Sequence, residues 1–472
     1  MTLQEHEARV AHDLACLGYG GPDWLRPTVH AEGHVFDVVV VGGGQSGLAA
    51  AFGLLRERIS NIVVLDENPA GREGPWDTYA RMVTLRTPKQ LTSIDMGIPS
   101  LTFRAYWEAA HGPQSWERID KIARSDWMDY LRWYRRVLRL PVRNDARLVR
   151  IEPVERGLFR LHLDGGETLL ARKAILATGI QGGGQWHTPP LVKDRLPASR
   201  YAHTSEMIDY EALKGRRVAI LGGGASAFDN AQHALALGVG EVHVFVRRSV
   251  LPTVNPIRFM ETSGLIARFP ALPDATKYRM MVSFFERNQP PTNDTFERAA
   301  AWPGFRLHLG APWLDVEETT DGVEVTTPQG KELFDFLVLS TGLVTDPALR
   351  PELRDVAADI LRWSDRYTPA GDRHSAVVDA HPYLGSGFEL LPTTPAAADR
   401  LHGLFAFNYS GLISFGLSAS ALSGLKQALP RLARGVADQL FLDDQESIVA
   451  DYFAYDEPEF AGHWPAAAEQ AA

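Results

Sequence analysis

The chain has 472 residues, a net charge of −10 and a single cysteine, Cys16. At the usual size of roughly 100–200 residues a domain, this length allows two or three domains, and the acidic balance argues against nucleic-acid binding. One cysteine excludes a disulfide framework, and no apolar run approaches the ~18–20 residues that span a bilayer. We therefore expect a cytoplasmic protein that does not associate with membranes.

Residues 1–29 are expected to form a helical extension. They carry acidic residues where a secretory signal needs an apolar core, and they predict a short amphipathic helix from about Gln4 to Leu17.

The first of two glycine-rich turns follows the valine run at 38–41 and precedes an Ala-rich stretch. Gly42 allows a tight strand-to-helix turn, Gly44 lets the backbone approach a pyrophosphate, and Gly47 permits close helix packing. The pyrophosphate then lies at the positive end of the helix. The candidate contacts here are Gly42, Gly44, Gln45, Ser46 and Gly47.

The strand after this turn, residues 61–65, ends in Asp66 and Glu67. At this distance from the turn a carboxylate can accept hydrogen bonds from ribose hydroxyls. The first unit therefore suits the adenosine ribose of FAD or NAD.

A second turn of the same kind follows the run at 218–221. Its strand at 241–246 ends in Arg247 and Arg248, where a guanidinium can clamp the 2′-phosphate that a carboxylate would repel. This pattern predicts a site for NADPH; the alternative is a solvated turn. The candidate contacts of the second turn are Gly222, Gly224, Ala225, Ser226 and Ala227.

Each unit is followed by an apolar strand that ends in Thr-Gly, at Thr178 and Gly179 and again at Thr341 and Gly342. Such a strand is expected to lie beside the nucleotide. A glycine-rich stretch at 181–185 is expected to be a flexible crossing between domains, and the alternation at 323–327 predicts a hairpin.

The repeated plan predicts an α/β protein with two Rossmann-like dinucleotide-binding domains. We place an FAD-binding domain at 30–190 and 343–460, an inserted NADPH-binding domain at 191–342, and a flexible tail at 461–472. This is a glutathione-reductase-like architecture, although the redox-active cysteine pair of flavin disulfide reductases is absent.

Short elements at 73–76, 85–89, 129–131 and 340–346 resemble those of the flavin-containing monooxygenase group. These single-component FAD/NADPH enzymes are related to Baeyer-Villiger monooxygenases and amine N-hydroxylases. The segment at 408–418 resembles the group's last flavin contact. The resemblance gives further flavin contacts at Trp76, Thr87, Asn408 and Ser410.

The resemblance also gives three candidate catalytic residues. Arg86 and Lys89 hydrogen-bond the flavin or the nicotinamide ribose, or else form a salt-bridged surface turn. His203, retained from the group's interdomain fingerprint, contacts NADPH or is a packed junction histidine. For Trp76 the alternatives are packing against the flavin and packing within the protein core alone. Arg258 and Arg298 lie in the domain that would supply a peroxide-stabilising arginine, but a structural role is favoured for both.

The function that this resemblance implies uses FAD, NADPH, O₂ and a small organic substrate. NADPH reduces FAD, and a C4a-peroxyflavin inserts one oxygen atom, favoured at an amine nitrogen or a sulfur. The alternatives are Baeyer-Villiger oxygenation of a ketone, a reductase that passes electrons to a partner protein, and a redox-sensing flavoprotein. No HExxH or paired CxxC spacing indicates a metal site. Nothing in the sequence decides the substrate or whether the protein forms a homo-oligomer.

Overall fold

The computed structural model describes residues 2–369, 374–460 and 462, and its fold is mixed α/β, as expected. The expectation for a tail at 461–472 lies outside the described residues apart from residue 462. The strands are β1 Val29–His30, β2 Gly33–Val41, β3 Ile62–Leu65, β4 Val142–Arg143, β5 Leu148–Glu155, β6 Leu158–Leu163, β7 Thr168–Leu176, β8 Gly184–Trp186, β9 Tyr201–His203, β10 Arg217–Leu221, β11 Glu241–Val246, β12 Phe305–Leu309, β13 Asp315–Thr319, β14 Gly322–Thr327, β15 Gly330–Phe334, β16 Phe336–Leu339, β17 Leu343–Thr345 and β18 Leu404–Phe405.

The α-helices lie between these strands and after them. They are α1 Leu3–Cys16, α2 Gln45–Arg56, α3 Phe103–His111, α4 Ser115–Arg118, α5 Arg124–Val137, α6 Pro190–Lys193, α7 Ala225–Ala236, α8 Pro256–Met260, α9 Ser263–Arg268, α10 Asp274–Arg287, α11 Asn293–Ala300, α12 Trp363–Arg366, α13 Ala376–Asp379, α14 Ala398–Leu401, α15 Leu412–Phe415, α16 Leu422–Asp443 and α17 Gln445–Ala454.

The first sheet has β2 near its centre, in the order β4-β3-β2-β7-β6-β5. β2 is parallel to both β3 and β7, and β18 returns from far along the chain to pair with β7. Val38, Val39 and Val40 are fully buried, because β-branched side chains fill a parallel sheet covered on both faces. Helix α2 packs against α16, so the C-terminal part of the chain completes this core.

The second sheet is parallel throughout, in the order β12-β11-β10-β16-β9. Helix α7 connects β10 to β11 and packs against α11. A small antiparallel sheet, β13-β14-β15, lies beside it, and this confirms the hairpin expected at 323–327.

The expected N-terminal helix is confirmed as α1. The Thr2 side chain accepts a hydrogen bond from the Glu5 backbone N–H while the Glu5 carboxylate accepts one from the Thr2 backbone, a capping box that fixes where the helix begins. Among the described residues, no helix combines the length and apolarity that crossing a membrane requires.

The stretch at 181–185 does run between the two large sheets, but the expectation that it is flexible is wrong. β8 pairs antiparallel with β17, so the two chain segments that run between the large sheets are hydrogen-bonded to each other. A Cβ at Gly184 would lie 1.9 Å from the carbonyl oxygen of Val344, and one at Gly182 would lie 1.8 Å from Thr178 Oγ1. The glycines here therefore allow close packing, not free rotation.

Candidate functional site

The first glycine turn leaves the N-terminus of helix α2 open. Gly42 has φ +104°, and a Cβ there would lie 2.5 Å from the carbonyl oxygen of Ala177, so only glycine fits between the two strands. Gly44 is the N-cap of α2 and supplies no side-chain cap, which leaves backbone N–H groups at the positive end of the helix for an anion. A Cβ at Gly47 would lie 1.7 Å from the Gly42 carbonyl oxygen, in accord with its expected packing role.

Asp66 lies buried at the end of β3. Its Oδ2 accepts a hydrogen bond from the Gly43 backbone N–H at 2.7 Å, and its Oδ1 accepts from Asn68. Burial raises the pKa of Asp66, although these hydrogen bonds oppose the shift. Glu67, next along the chain, is about half exposed and lies 3.5 Å from Arg147.

The second turn repeats the geometry with more space around it. Gly222 has φ +130°, and a Cβ there would lie 2.3 Å from the Ser340 carbonyl oxygen. Gly224 caps α7 without a side-chain bond, and a Cβ at Gly224 would meet no heavy atom within 4 Å. Ala227 is fully buried in the helix that follows.

Two arginines follow β11 at the second turn. Arg247 is exposed, whereas Arg248 is half-buried and donates to the Glu286 carbonyl oxygen at 3.1 Å. Of the two guanidinium groups, that of Arg247 is the more accessible to a ligand, because Arg248 already donates a hydrogen bond to the protein.

One cavity of about 1250 Å³ runs past both turns. It is continuous from the N-terminus of α2 to the N-terminus of α7, so ligands at the two turns would meet inside it. Most of the residues expected from the sequence line it: Gly42, Gly44, Gln45, Ser46, Asp66, Glu67, Trp76, Arg86, Thr87, Thr178, Gly179, His203, Gly222, Gly224, Ala225, Ser226, Arg247, Arg248, Thr341 and Gly342.

Five expected residues are not among those that line the cavity: Gly47, Lys89, Ala227, Asn408 and Ser410. Lys89 donates from Nζ to the carbonyl oxygens of Trp116 and Ile119, both at 2.7 Å, and lies over the Trp116 ring. Its ammonium is thus held by the protein itself, and the structure does not bring Lys89 to the candidate catalytic centre.

Asn408 lies one layer behind the cavity. Its side-chain N–H₂ donates to Thr178 Oγ1 at 3.1 Å, and its Oδ1 accepts from the Ser410 backbone N–H. Thr178 does line the cavity, so Asn408 is connected to the cavity wall through its hydrogen bond to that threonine.

His203 is almost completely buried at the end of β9, and burial lowers its pKa to about 4. The ring is therefore neutral at neutral pH. Its Nδ1 accepts from the Ser205 backbone N–H at 3.2 Å, and its face stacks on Trp186 at 5.0 Å. The Gly342 backbone partly opposes the lowering of its pKa. His203 is thus both a packed junction residue and a cavity residue.

Sequence reasoning missed the partner of Arg86. The Arg86 guanidinium pairs with Asp229, a carboxylate buried on α7, so that the segment at 85–89 is joined to the helix of the second turn. Burial raises the pKa of Asp229, and the Arg86 charge opposes that shift. The available signal was a charged residue on the buried face of an Ala-rich helix.

The cavity fits a flavin and a nicotinamide nucleotide on three observations. Both helix N-termini lack side-chain caps, Gly224 faces open space, and one buried ring nitrogen, Trp76 Nε1, has no protein partner. Buried polar atoms are ordinarily hydrogen-bonded, so Trp76 Nε1 is suited to meet a ligand.

Of the two arginines weighed for a peroxide-stabilising role, Arg258 lines the cavity and Arg298 is not among the lining residues. Arg258 donates to the Arg86 carbonyl oxygen and pairs with Glu261. Arg298 pairs with Asp294 along its own helix.

The comparisons with known proteins agree with this geometry. Over 466 residues the chain is 65% identical to the FAD-dependent urate hydroxylase of Xanthomonas campestris pv. campestris, and the match covers 98% of each chain. The chain belongs to the flavin-dependent monooxygenase family of that enzyme. This monooxygenase also matches the FAD-NAD(P)-binding family over residues 39–181 and the L-lysine 6-monooxygenase/L-ornithine 5-monooxygenase family over residues 115–288.

Solved structures of flavin enzymes share the fold of the monooxygenase. The ornithine hydroxylase of Pseudomonas aeruginosa superposes with a TM-score of 0.66 at 18% identity, covering 86% of this chain and 100% of that one. The ornithine N-hydroxylase of Kutzneria sp. 744, with reduced FAD, NADP⁺ and L-ornithine, gives 0.67 at 17%, covering 86% and 99%. The monooxygenase is accordingly an oxidoreductase that uses FAD and a nicotinamide dinucleotide.

Proposed function

We propose that this monooxygenase hydroxylates urate, with FAD at the first glycine turn and NADPH at the second. The observation that carries the proposal is the 65% identity, over nearly the whole chain, to a urate hydroxylase. One atom of O₂ enters the substrate, the other leaves as water, and NADPH supplies the two electrons. Bound FAD supplies the redox chemistry and the activation of oxygen.

The chain's own residues supply binding, orientation and exclusion of water. The open N-terminus of α2 suits the pyrophosphate of FAD, and Glu67 together with Asp66 suits its ribose. At the second turn, the open N-terminus of α7 suits the pyrophosphate of NADPH and Arg247 its 2′-phosphate. This assignment makes the first sheet the FAD-binding domain and the second the NADPH-binding domain.

His203 and Trp76 are proposed to orient the two nucleotides where they meet. The neutral His203 ring lines the cavity without adding charge, and the Trp76 indole N–H, which has no protein partner, can donate to a bound group. Because both are buried, they also exclude water from the reacting atoms.

The side of the cavity formed by α8, α10 and the residues after α10 suits the substrate. Gln289 offers an amide there and Phe285 an aromatic face. Arg258 adds a positive charge, although its Nη atoms already bond Glu261 and the Arg86 carbonyl oxygen. Urate is a planar anion edged with N–H and C=O groups, so cationic, amide and aromatic side chains match its chemistry.

The test is turnover with urate, NADPH and ¹⁸O₂, with the product followed by mass spectrometry. We expect urate-dependent NADPH oxidation and one ¹⁸O atom in the product. The expected effect of Arg258→Met is a rise of tenfold or more in the KM for urate with unchanged flavin content, whereas Arg298→Met, the matched control outside the cavity, leaves KM unchanged. Label from water alone would contradict the monooxygenase reaction.

The second candidate substrate is an amine that is hydroxylated at nitrogen. The match to the L-lysine 6-monooxygenase/L-ornithine 5-monooxygenase family over residues 115–288 favours it. Lysine and ornithine therefore belong in the same assay. Coupled oxidation of either amine, with urate inert, would replace the urate proposal while leaving both cofactor assignments intact.

A further inference from the structure

A cluster of two imidazoles and a carboxylate lies outside the cavity, between the second sheet and the small antiparallel sheet. His243 lies on β11, His308 on β12 and Glu332 on β15, and one ligand atom from each falls within 4.8 Å of the others. His243 is buried and the other two are half-buried. Because the three residues come from three strands, no short motif marks them in the sequence.

The distances within the cluster match a metal centre. His243 Nδ1 lies 3.1 Å from His308 Nε2 and 3.2 Å from Glu332 Oε2, and His308 Nε2 lies 3.8 Å from Glu332 Oε1. With metal–ligand bonds of about 2.1 Å, ligands at the corners of a tetrahedron lie about 3.4 Å apart. The separations of 3.1 and 3.2 Å that end on His243 Nδ1 are close to that value. The 3.8 Å separation ends on the other oxygen of the Glu332 carboxylate, so Glu332 would turn to bind through one oxygen or bind through both.

Counting protons shows why hydrogen bonds alone fit this cluster poorly. A carboxylate only accepts, and a neutral imidazole has one donor and one acceptor nitrogen. If His308 Nε2 donates to His243 Nδ1, the Glu332 oxygen at 3.2 Å faces a lone pair. If His243 Nδ1 donates instead, His308 and Glu332 compete for one proton. With both rings neutral, a cation between the three atoms satisfies all of them. A second proton on one ring is the competing arrangement, and the zinc titration below distinguishes the two.

The neighbours of the cluster would orient its ligands. His243 Nε2, the ring nitrogen away from the cluster, lies 3.5 Å from Glu241 Oε2, the position of an outer carboxylate behind a metal-bound histidine. Arg217 lies 3.6 Å from Glu332 Oε2 but donates to Glu241 and to the Leu333 carbonyl oxygen. Arg217 Nη2 thus forms an ion pair with Glu332, and a metal ion would share the carboxylate with this guanidinium or displace it.

We propose that His243, His308 and Glu332 bind one Zn²⁺ with a water as fourth ligand, and that this ion fastens the small sheet β13-β14-β15 to the second sheet. Imidazole and carboxylate are ordinary zinc ligands. The cluster is not among the residues that line the cavity, so this role is independent of the proposed substrate and is not catalytic.

The test uses tag-free, FAD-loaded, full-length protein carrying Cys16→Ser, because the Cys16 thiol lies 3.5 Å from His12 and offers a competing site. After chelation, the protein is titrated with ZnCl₂ and with CoCl₂. We expect one equivalent of each, a visible cobalt spectrum typical of four ligands, and a rise in Tm of about 4 °C or more with zinc.

The variants His308→Gln and Glu332→Gln are expected to lose the bound equivalent and the rise in Tm. His162→Gln is the matched control, because His162 forms an imidazole–carboxylate pair with Glu152 at 2.7 Å elsewhere in the chain, and it should bind zinc like the parent. Less than about 0.2 equivalents in the parent protein, or equal binding in both cluster variants, overturns the proposal. If His308→Gln does not fold, Glu332→Gln and the cobalt spectrum of the parent decide.

Discussion

The two glycine turns have similar backbone conformations but different surroundings. At the first turn, a Cβ on Gly44 would lie 3.7 Å from the Cα of Gly74, and the strand end is a buried carboxylate that holds Gly43. At the second, Gly224 faces open space and the strand end is an exposed arginine, Arg247. The first turn is thus the more enclosed of the two. Under the proposed function, this suits an FAD that stays bound at the first turn and an NADPH that is exchanged at the second in every turnover.

The largest effect is expected when a valine side chain replaces the glycine that precedes the helix at each turn. Gly44→Val should abolish FAD binding by blocking the backbone's approach to the pyrophosphate, whereas Gly224→Val should keep FAD and raise the KM for NADPH tenfold or more. Both backbones tolerate a side chain, since neither glycine has a positive φ or a heavy atom within 3.4 Å of its Cβ position. Flavin absorbance per protein and steady-state kinetics are the measurements. Full flavin occupancy in a folded Gly44→Val variant would sink the first assignment.

The second prediction concerns the loss of the Arg86–Asp229 ion pair, which joins the segment at 85–89 to the helix of the second turn. Removing one partner of a buried pair costs about 3–5 kcal/mol, and because the Arg86 side chain is 23% exposed we expect the lower figure for Arg86→Met. Urea unfolding measures it. Arg156→Met is the control, since the Arg156–Asp399 pair is exposed and should contribute less than about 1 kcal/mol.

The double variant Arg86→Met/Asp229→Leu tests the cause of that loss. It should recover part of the lost stability, because it no longer leaves a buried carboxylate unpaired. A double variant less stable than Arg86→Met would contradict an explanation based on the ion pair.

The third prediction concerns the open turn. Arg247→Ala should lower the ratio of kcat/KM for NADPH to kcat/KM for NADH. The expected drop corresponds to about 1.5–3 kcal/mol of transition-state stabilisation, the value of a hydrogen bond to a charged group. Arg248→Ala should lower it less, because Arg248 already donates to the Glu286 carbonyl oxygen. An unchanged ratio in the double variant would show that the strand-end arginines do not select the nucleotide.

The smallest expected effect is on the pH dependence of stability, and it is tested by comparing a histidine that lines the cavity with one that does not. His203 and His381 are both buried, and burial lowers the pKa of each to about 4. The unfolded chain, with an ordinary histidine pKa near 6.5, binds the proton first as the pH falls, so stability that is present above about pH 6.5 is lost down to about pH 4.

Each histidine should therefore account for about 1 kcal/mol of the stability lost between pH 7.5 and 5.5. His203→Gln and His381→Gln should each reduce that loss by this amount in urea titrations at the two pH values. With FAD and NADPH present, only His203→Gln should alter catalysis as well. An unchanged pH dependence in both variants would contradict the assignment to buried neutral rings.

The features predictable from the sequence were those encoded by neighbours in the chain. The glycine turn at Gly42 and the hairpin at 323–327 depend on local spacing, and the mixed α/β fold follows from their repetition. Contacts between distant segments were not predictable in this way. The Arg86–Asp229 pair joins residues 143 positions apart, and the position of Lys89 over Trp116 depends on a fold that one sequence does not reveal.

The glycines at 181–185 show a different limit. Glycine marks both flexible chain and close packing, and the sequence alone does not separate them. Only the paired strand β17, which follows the whole second sheet in the chain, shows that Gly184 serves packing. A local pattern was therefore misassigned because its partner lies about 160 residues away.

The return of β18 to the first sheet sets an order of assembly during synthesis. A nascent chain that ends after β17 already holds every strand of the second sheet, whereas the first sheet still lacks β18 and its covering helix α16. Since domains fold as units once their residues have emerged, the later-numbered sheet should become protease-resistant on the ribosome before the earlier one does. Limited proteolysis of stalled chains that end after β17 or after α17, each followed by a linker long enough to fill the ribosome exit tunnel, would show this order, and a protected first sheet in the shorter chain would refute it.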